Sequence, residues 1–153
     1  MSMFEAKHVM RSHTIEIQAR PETVFPLFTP LGEKKWVDGW DPILHYPRSG
    51  EAMKGAVFST CSEGEAETVW AIVEYDPPKR CAKYLRVTPG SRVAVVEVQC
   101  SEAAGGATRA RVTYTFTALS EEGNRYVSDF TEDRYREYID SWKEAIHRFL
   151  KRK

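Results

Sequence analysis

The sequence predicts an α+β fold: a curved antiparallel sheet of six or seven strands wrapped around one long C-terminal helix, with two short helices after the first strand. Two patterns lead there. From Ser128 to Lys153 the chain reads as one amphipathic helix. With Trp142 at the centre of a helical wheel, Thr131, Tyr135, Tyr138, Ile139, Ala145, Ile146, Phe149 and Leu150 fall on the same side. Asp133, Glu137, Asp140, Glu144 and His147 fall opposite. Ahead of this helix run short alternating apolar segments separated by turn residues, the pattern of consecutive antiparallel strands. A sheet broader than the helix it covers leaves space between them, and the aromatic helix face suggests a binding cavity there.

The first strand is predicted over His8 to Ala19, where Val9, His13, Ile15 and Ile17 share one phase. Pro21 opens a helix at a position where its missing N–H is harmless, and Glu22 suits the same first turn. Val24, Phe25 and Phe28 are its expected buried residues; Pro26 must kink or shorten it and Pro30 ends it. A second short helical turn is expected from Gly32 to Trp36, and the segment Trp36 to Pro42 turns the chain back into strands.

The strands that follow are expected at Ile43 to Tyr46, Ala56 to Cys61, Thr68 to Tyr75, Cys81 to Val87, Arg92 to Cys100 and Arg109 to Leu119. Their joins are short and rich in Gly, Pro, Asp and Ser, so consecutive strands should pair as antiparallel hairpins. The last strand alternates most clearly, with Ala110, Val112, Tyr114 and Phe116 on one face and arginines and threonines on the other. In Val69 to Val73 and Val93 to Val98 both phases are apolar, so alternation does not choose their inward face. Ser120 with Glu121 and Glu122 can start a helical turn, which Gly123 weakens. A break is expected between Tyr126 and Thr131, with Ser128 or Thr131 capping the main helix.

Composition narrows the function. With 153 residues and 17.5 kDa there is room for one core, and at this size roughly two thirds of the unfolded surface can be buried. Lys plus Arg and Asp plus Glu are equal at 22 each, so no net field favours nucleic acid or an anionic membrane. The basic residues Arg148, Lys151, Arg152 and Lys153 sit where cations complement a helix C-terminus. No apolar run approaches the ~20 residues of a membrane span, and the first residues lack a signal-peptide core. The three cysteines, Cys61, Cys81 and Cys100, are isolated and are expected to be reduced, buried small hydrophobes in a cytoplasmic protein.

With Ile15 to Phe25 for the first strand and helix, Gly39-Trp-Asp-Pro42 entering the second strand, Glu74 to Pro78 closing a hairpin and Val112 to Phe116 before the last helix, the chain resembles the START-like superfamily. This superfamily is also called SRPBCC or polyketide cyclase/dehydrase-like, and its architecture the helix-grip fold. The resemblance runs over nearly the whole chain and implies one START-like domain over residues 1–153. It also implies a deep apolar cavity between sheet and long helix, of the kind that binds lipids, polyketides, plant hormones or other hydrophobic molecules. Other members are aromatase/cyclases, ring-hydroxylase subunits or chaperone regulators, so the resemblance supports the cavity better than any reaction.

The chemistry-bearing residues agree with a pocket rather than a catalytic motif. His8, His13, His45 and His147 are scattered and no Cys pair has zinc-site spacing, so no metal is expected; His8 and His13 have opposite phases in one strand. No Gly-x-Ser-x-Gly elbow occurs, and Gly105-Gly106 is a hairpin corner rather than a phosphate cradle, so no cofactor is expected. What remains is a set of aromatic residues with polar tips: Tyr135, Tyr138 and Trp142 on the helix, Tyr114 on the adjoining strand, and Trp36, Trp40, His45 and Trp70 elsewhere.

A proton-transfer group, were one present, would be sought among His45, His13, Glu74 and Glu97, the two glutamates alternatively facing solvent beside Arg92 or Arg111. The leading expectation is therefore binding of a small hydrophobic molecule, lipid-, polyketide- or aromatic-like. The alternative is an aromatase/cyclase-like enzyme using the same cavity, and a protein-interaction module comes third.

Overall fold

The computed structural model describes residues 4–61 and 67–152. In chain order the elements are β1 (His8–Ile17), α1 (Pro21–Val24), a 3-10 turn (Phe25–Phe28), α2 (Pro30–Glu33), β2 (Ile43–Tyr46), β3 (Val57–Thr60), β4 (Thr68–Asp76), β5 (Cys81–Thr88), β6 (Arg92–Glu102), β7 (Thr108–Ala118), α3 (Glu121–Asp129) and α4 (Glu132–Lys151). All seven strands form one antiparallel sheet in the order β1-β7-β6-β5-β4-β3-β2. Each strand from β2 onward pairs with its successor, the antiparallel order that the turn-rich joins predict. The first strand then closes against the last, with His8 opposite Thr117 and Ile17 opposite Thr108.

Neighbouring strands decide the phases that alternation left open. In β6 the side chains of Arg92, Ala94, Val96, Val98 and Cys100 turn inward, and in β4 those of Thr68, Trp70 and Ile72 do, while Val69 and Val73 are exposed. Small Ala94 and Ala110 on inner positions leave depth for the larger Trp70, Tyr84, Tyr114 and Phe116. Pro26 converts the first helix into a 3-10 turn, and Thr29 restarts helical structure at α2, its Oγ1 accepting from Gly32 N at 3.0 Å.

The C-terminal helical region breaks inside the expected window, at Phe130. Ser120 Oγ accepts from Gly123 N at 3.1 Å to start α3, and Thr131 Oγ1 accepts from Arg134 N at 3.3 Å to start α4. Thr131→Ala removes one acceptor at a helix start and is expected to cost about 1 kcal/mol in a urea melt. An unchanged midpoint would show that the cap contributes nothing.

The buried stripe of α4 is narrower than the wheel predicts: Tyr135, Ile139 and Ile146 are buried, Trp142 is half-buried, and Tyr138 and Thr131 lie outside it. His147, expected on the wet face, is partly buried against β1. Its Nε2 accepts from Gln18 N at 3.0 Å, and desolvation, then Lys143 and Lys151, lower its pKa and keep it neutral for that role. The remaining basic residue of the tail, Lys153, lies outside the described residues.

The cysteines also divide. Cys100 is buried, and desolvation pushes its thiol up to about 12, which makes it an inert core residue. Cys81 is partly exposed and Cys61 is exposed, so neither fits the expectation of a buried hydrophobe. Cys61 follows the last residue of β3, where the chain leaves the sheet and burial ends.

Candidate functional site

Between the segment after α2, the inner face of the sheet and α4 lies a cavity of about 530 Å³, within the usual range for small-molecule sites. Indole N–H groups hold its frame. Trp36 Nε1 donates to Leu27 O and Trp40 Nε1 to Pro30 O, both at 2.8 Å, so the returning segment is fastened to the α1–α2 region. Trp40 then meets Trp70 edge-on at 5.7 Å, and Trp70 stacks on Phe58 at 5.5 Å with its Nε1 donating to Thr60 Oγ1. Across the space, Trp142 packs against Tyr138 at 5.4 Å and Tyr114 at 6.4 Å. One aromatic group joins the segment after α2 to β3 and β4, the other joins β7 to α4, and both line the cavity.

Of the aromatic and histidine residues singled out from sequence, Trp40, Trp70, Tyr114, Tyr138 and Trp142 line this cavity. Trp36, His45 and Tyr135 are not among its lining residues. Trp36 is buried between Phe28 and Trp142 as core. Tyr135 spends its hydroxyl on Val112 O at 2.6 Å, facing the sheet behind β7. His45 is exposed on short β2, its Nε2 2.8 Å from Ser59 Oγ. The other titratable candidates also stand elsewhere. His13 lies 2.8 Å from Asp140 where α4 crosses β1, and Glu74 and Glu97 flank Lys83 at 3.7 and 3.4 Å on the outer face. Arg92 is buried with its guanidinium over the Tyr126 ring, away from both glutamates.

Four charged residues outside the sequence-based candidates also line the cavity, the exposed Asp38 and Asp41 and the less exposed Arg86 and Glu33. Arg86 shares the inward phase of Ala82, Tyr84 and Thr88 in β5, and its guanidinium carbon lies 4.6 Å from the Trp70 ring centroid, a cation–π contact. Glu33, the last residue of α2, lines both this cavity and a smaller void of about 20 Å³ behind it that reaches Phe28 and Val96. Burial raises the Glu33 carboxyl to about 8, and the opposing attraction of Arg86 only partly offsets that. At neutral pH Glu33 is therefore mostly a neutral carboxylic acid, able to donate a hydrogen bond.

The two cavity phenols are neutral as well. Burial raises Tyr114 well above its ordinary value; it also raises Tyr138, where Arg86 and a hydrogen bond with Tyr114 pull the other way. Tyr138 as a whole is 39% exposed, and its ring meets that of Tyr114 edge-on at 6.3 Å. A signal for Arg86 existed in the sequence, since it stands in phase with Ala82 and Tyr84. Glu33 carried none: its burial comes from strands distant in sequence.

A second depression of about 540 Å³ between α3 and α4 is more open and is lined by Tyr126, Phe130, Arg134 and Glu137. It shares Tyr138 with the cavity but contains neither Glu33 nor Arg86. Among the described residues no set of His, Cys, Asp and Glu converges as a metal ion requires. No helix among them is long and apolar enough to cross a membrane.

Solved structures share this architecture. Norcoclaurine synthase from Thalictrum flavum, in complex with dopamine and hydroxybenzaldehyde, superposes with a TM-score of 0.69 at 12% identity, covering 95% of this chain and 87% of that one. An uncharacterised protein from Rhizobium leguminosarum gives 0.68 at 14% identity, covering 97% and 98%. Ara h 8.0201 gives 0.65 at 14% identity, covering 96% and 100%. At such identities the likeness establishes the fold. No curated protein matches the chain by sequence. The family described as "Polyketide cyclase / dehydrase and lipid transport" matches residues 9–146. The chain therefore belongs to that family, within the START-like (SRPBCC) superfamily.

Proposed function

We propose that this protein binds a small, largely apolar molecule with a ring system in the cavity between sheet and α4. The observation that carries the reading is the convergence of Trp40, Trp70, Tyr114, Tyr138 and Trp142, from the segment after α2, two strands and the long helix, on one space of about 530 Å³. Broad aromatic faces supply apolar area at low entropic cost, and a packed core without a ligand would favour Leu, Ile and Val. Membership of a family described by polyketide and lipid chemistry agrees with this ligand class. A cytoplasmic setting is part of the proposal, supported by cysteines isolated in sequence.

The uncharged fluorophore N-phenyl-1-naphthylamine is expected to bind the folded protein one-to-one with micromolar affinity and a blue-shifted emission. Tyr138→Leu, at the cavity edge, should weaken this binding roughly threefold or more while moving stability by no more than about 1 kcal/mol. Absence of binding, or binding only as the protein unfolds, would mean that the aromatic lining closes on itself.

An aromatase/cyclase-like enzyme is the second reading, favoured by the Glu33 carboxyl. A buried acid titrating at about 8 beside an apolar space suits proton transfer at neutral pH. The two readings part on turnover. A binder returns its ligand chemically unchanged, whereas product beyond one equivalent of protein, lost in Glu33→Gln, would establish the enzyme.

A further inference from the structure

We infer that the cavity selects anions: its ligand is a flat, ring-bearing carboxylate whose charged group meets Arg86 while its rings lie among Trp40, Trp70 and Trp142. The inference rests on the cavity reading above and adds a charge class to it.

Arg86 is the only cationic side chain among the described residues lining the cavity. Its guanidinium lies over Trp70, yet among the described residues it makes no hydrogen bond and no ion pair. A guanidinium carries five N–H donors in one plane, and an acceptor that enters the cavity can engage them. Contact with the ring occupies a face of the guanidinium and leaves its N–H edges open. A planar carboxylate fits such an edge with two parallel hydrogen bonds, which a lone carbonyl oxygen cannot reproduce.

The surroundings favour an incoming anion over an internal partner. Arg86 acts on the Glu33 carboxyl, which is held mostly neutral at pH 7 and so offers the cation little negative charge in return. Tyr114 from β7 and Tyr138 from α4 also feel Arg86, and both are neutral phenols able to donate. Asp38, Asp41 and Cys61 belong to the same lining, but all three are exposed, so water and salt screen the two aspartates. The cation is thus the inner charge and the acids form the outer rim.

Glu33 adds a pH dependence with a definite sign. Above about pH 8 it ionises, partly neutralises the field of Arg86 and repels a carboxylate. Anion affinity should therefore be high at neutral pH and fall as the solution becomes alkaline. By linkage, binding the anion raises the Glu33 pKa further, so binding in alkaline solution takes up protons.

The test compares naphthalene-2-carboxylate with naphthalene-2-carboxamide, which share ring and shape and differ in charge, by isothermal titration calorimetry. At about pH 6.5 the carboxylate should bind about tenfold tighter or more, a difference of about 1.4 kcal/mol. Arg86→Met should bring the carboxylate-to-amide affinity ratio down to about one, and a circular dichroism melt checks that the variant is folded. Arg86→Lys, retaining charge without the fork, should keep part of the selectivity. Between about pH 6.5 and 9.5 the wild-type carboxylate affinity should fall, and Glu33→Gln should abolish that fall.

Equal affinities for acid and amide, or selectivity that survives Arg86→Met, overturn the proposal, and a pH dependence unchanged in Glu33→Gln overturns the part assigned to Glu33. Failure of the uncharged naphthylamine to bind would instead remove the cavity reading itself. Its binding without acid selectivity would leave that reading standing and remove only this inference.

Discussion

Gly123→Ala is expected to destabilise the protein by about 3 kcal/mol, against the roughly 1 kcal/mol of helix propensity that alanine ordinarily gains over glycine. A Cβ at this position would stand 1.8 Å from Ser91 O and 2.8 Å from Ser91 C. Neither partner can give way cheaply. Ser91 O already accepts from Leu119 N at 2.7 Å, and the adjoining Arg92–Ala118 pair begins the β6–β7 ladder. The first turn of α3 would have to lift from the sheet, taking Val127 and the Phe130 corner with it. Urea midpoints of wild type and variant measure the effect, and a variant as stable as wild type would contradict this docking of α3.

Glu33→Gln is expected to stabilise the protein, by an amount that grows with pH. Burial raises the folded-state carboxyl to about 8, while in the unfolded chain it titrates near the ordinary ~4.3. Below the lower value both states are protonated and the residue contributes nothing. Between the two values the unfolded state releases a proton that the folded state retains, so wild-type stability falls as pH rises through this window and levels off above it. Glutamine keeps a neutral, hydrogen-bonding side chain and escapes the penalty. Because Glu33 remains partly accessible, the gain is discounted to roughly 2 kcal/mol at pH 8, vanishing near pH 4. Parallel denaturation series across this range check it. A difference that does not change with pH would show a solvated, ordinary carboxylate. A site that accepts this cost in stability fits a functional position better than a packing one.

Local pattern carries the scaffold a long way. Alternation in Thr108–Ala118, turn chemistry at Asp76–Pro78 and Pro89–Gly90, and the amphipathic stripe around Ile139 and Ile146 each act within a few residues. The strands, their antiparallel order and the long helix are therefore legible in the order of residues alone. Where both phases of a strand are apolar, as in Val93 to Val98, the choice passes to the neighbours. β5 and β7 on either side turn Ala94, Val96 and Val98 inward. Gly123 shows the same division in one residue: by propensity it weakens a helix, whereas in the fold its missing Cβ lets α3 approach the Ser91 carbonyl.

The site is legible in kind but not in composition. An aromatic cavity follows from residues whose spacing puts them on inward faces, such as Tyr114 on β7 and Trp142 on α4. Its charge does not, because no periodicity brings the end of a short helix to the middle of β5. The sheet, the helix and the aromatic character of the space between them are readable in the order of residues, since these depend on short-range sterics and burial. That His45 and Tyr135 fall outside the cavity and Glu33 and Arg86 inside it comes from packing between segments distant in the chain. A buried carboxyl's proton and an arginine's surroundings depend on atoms supplied from distant parts of the chain.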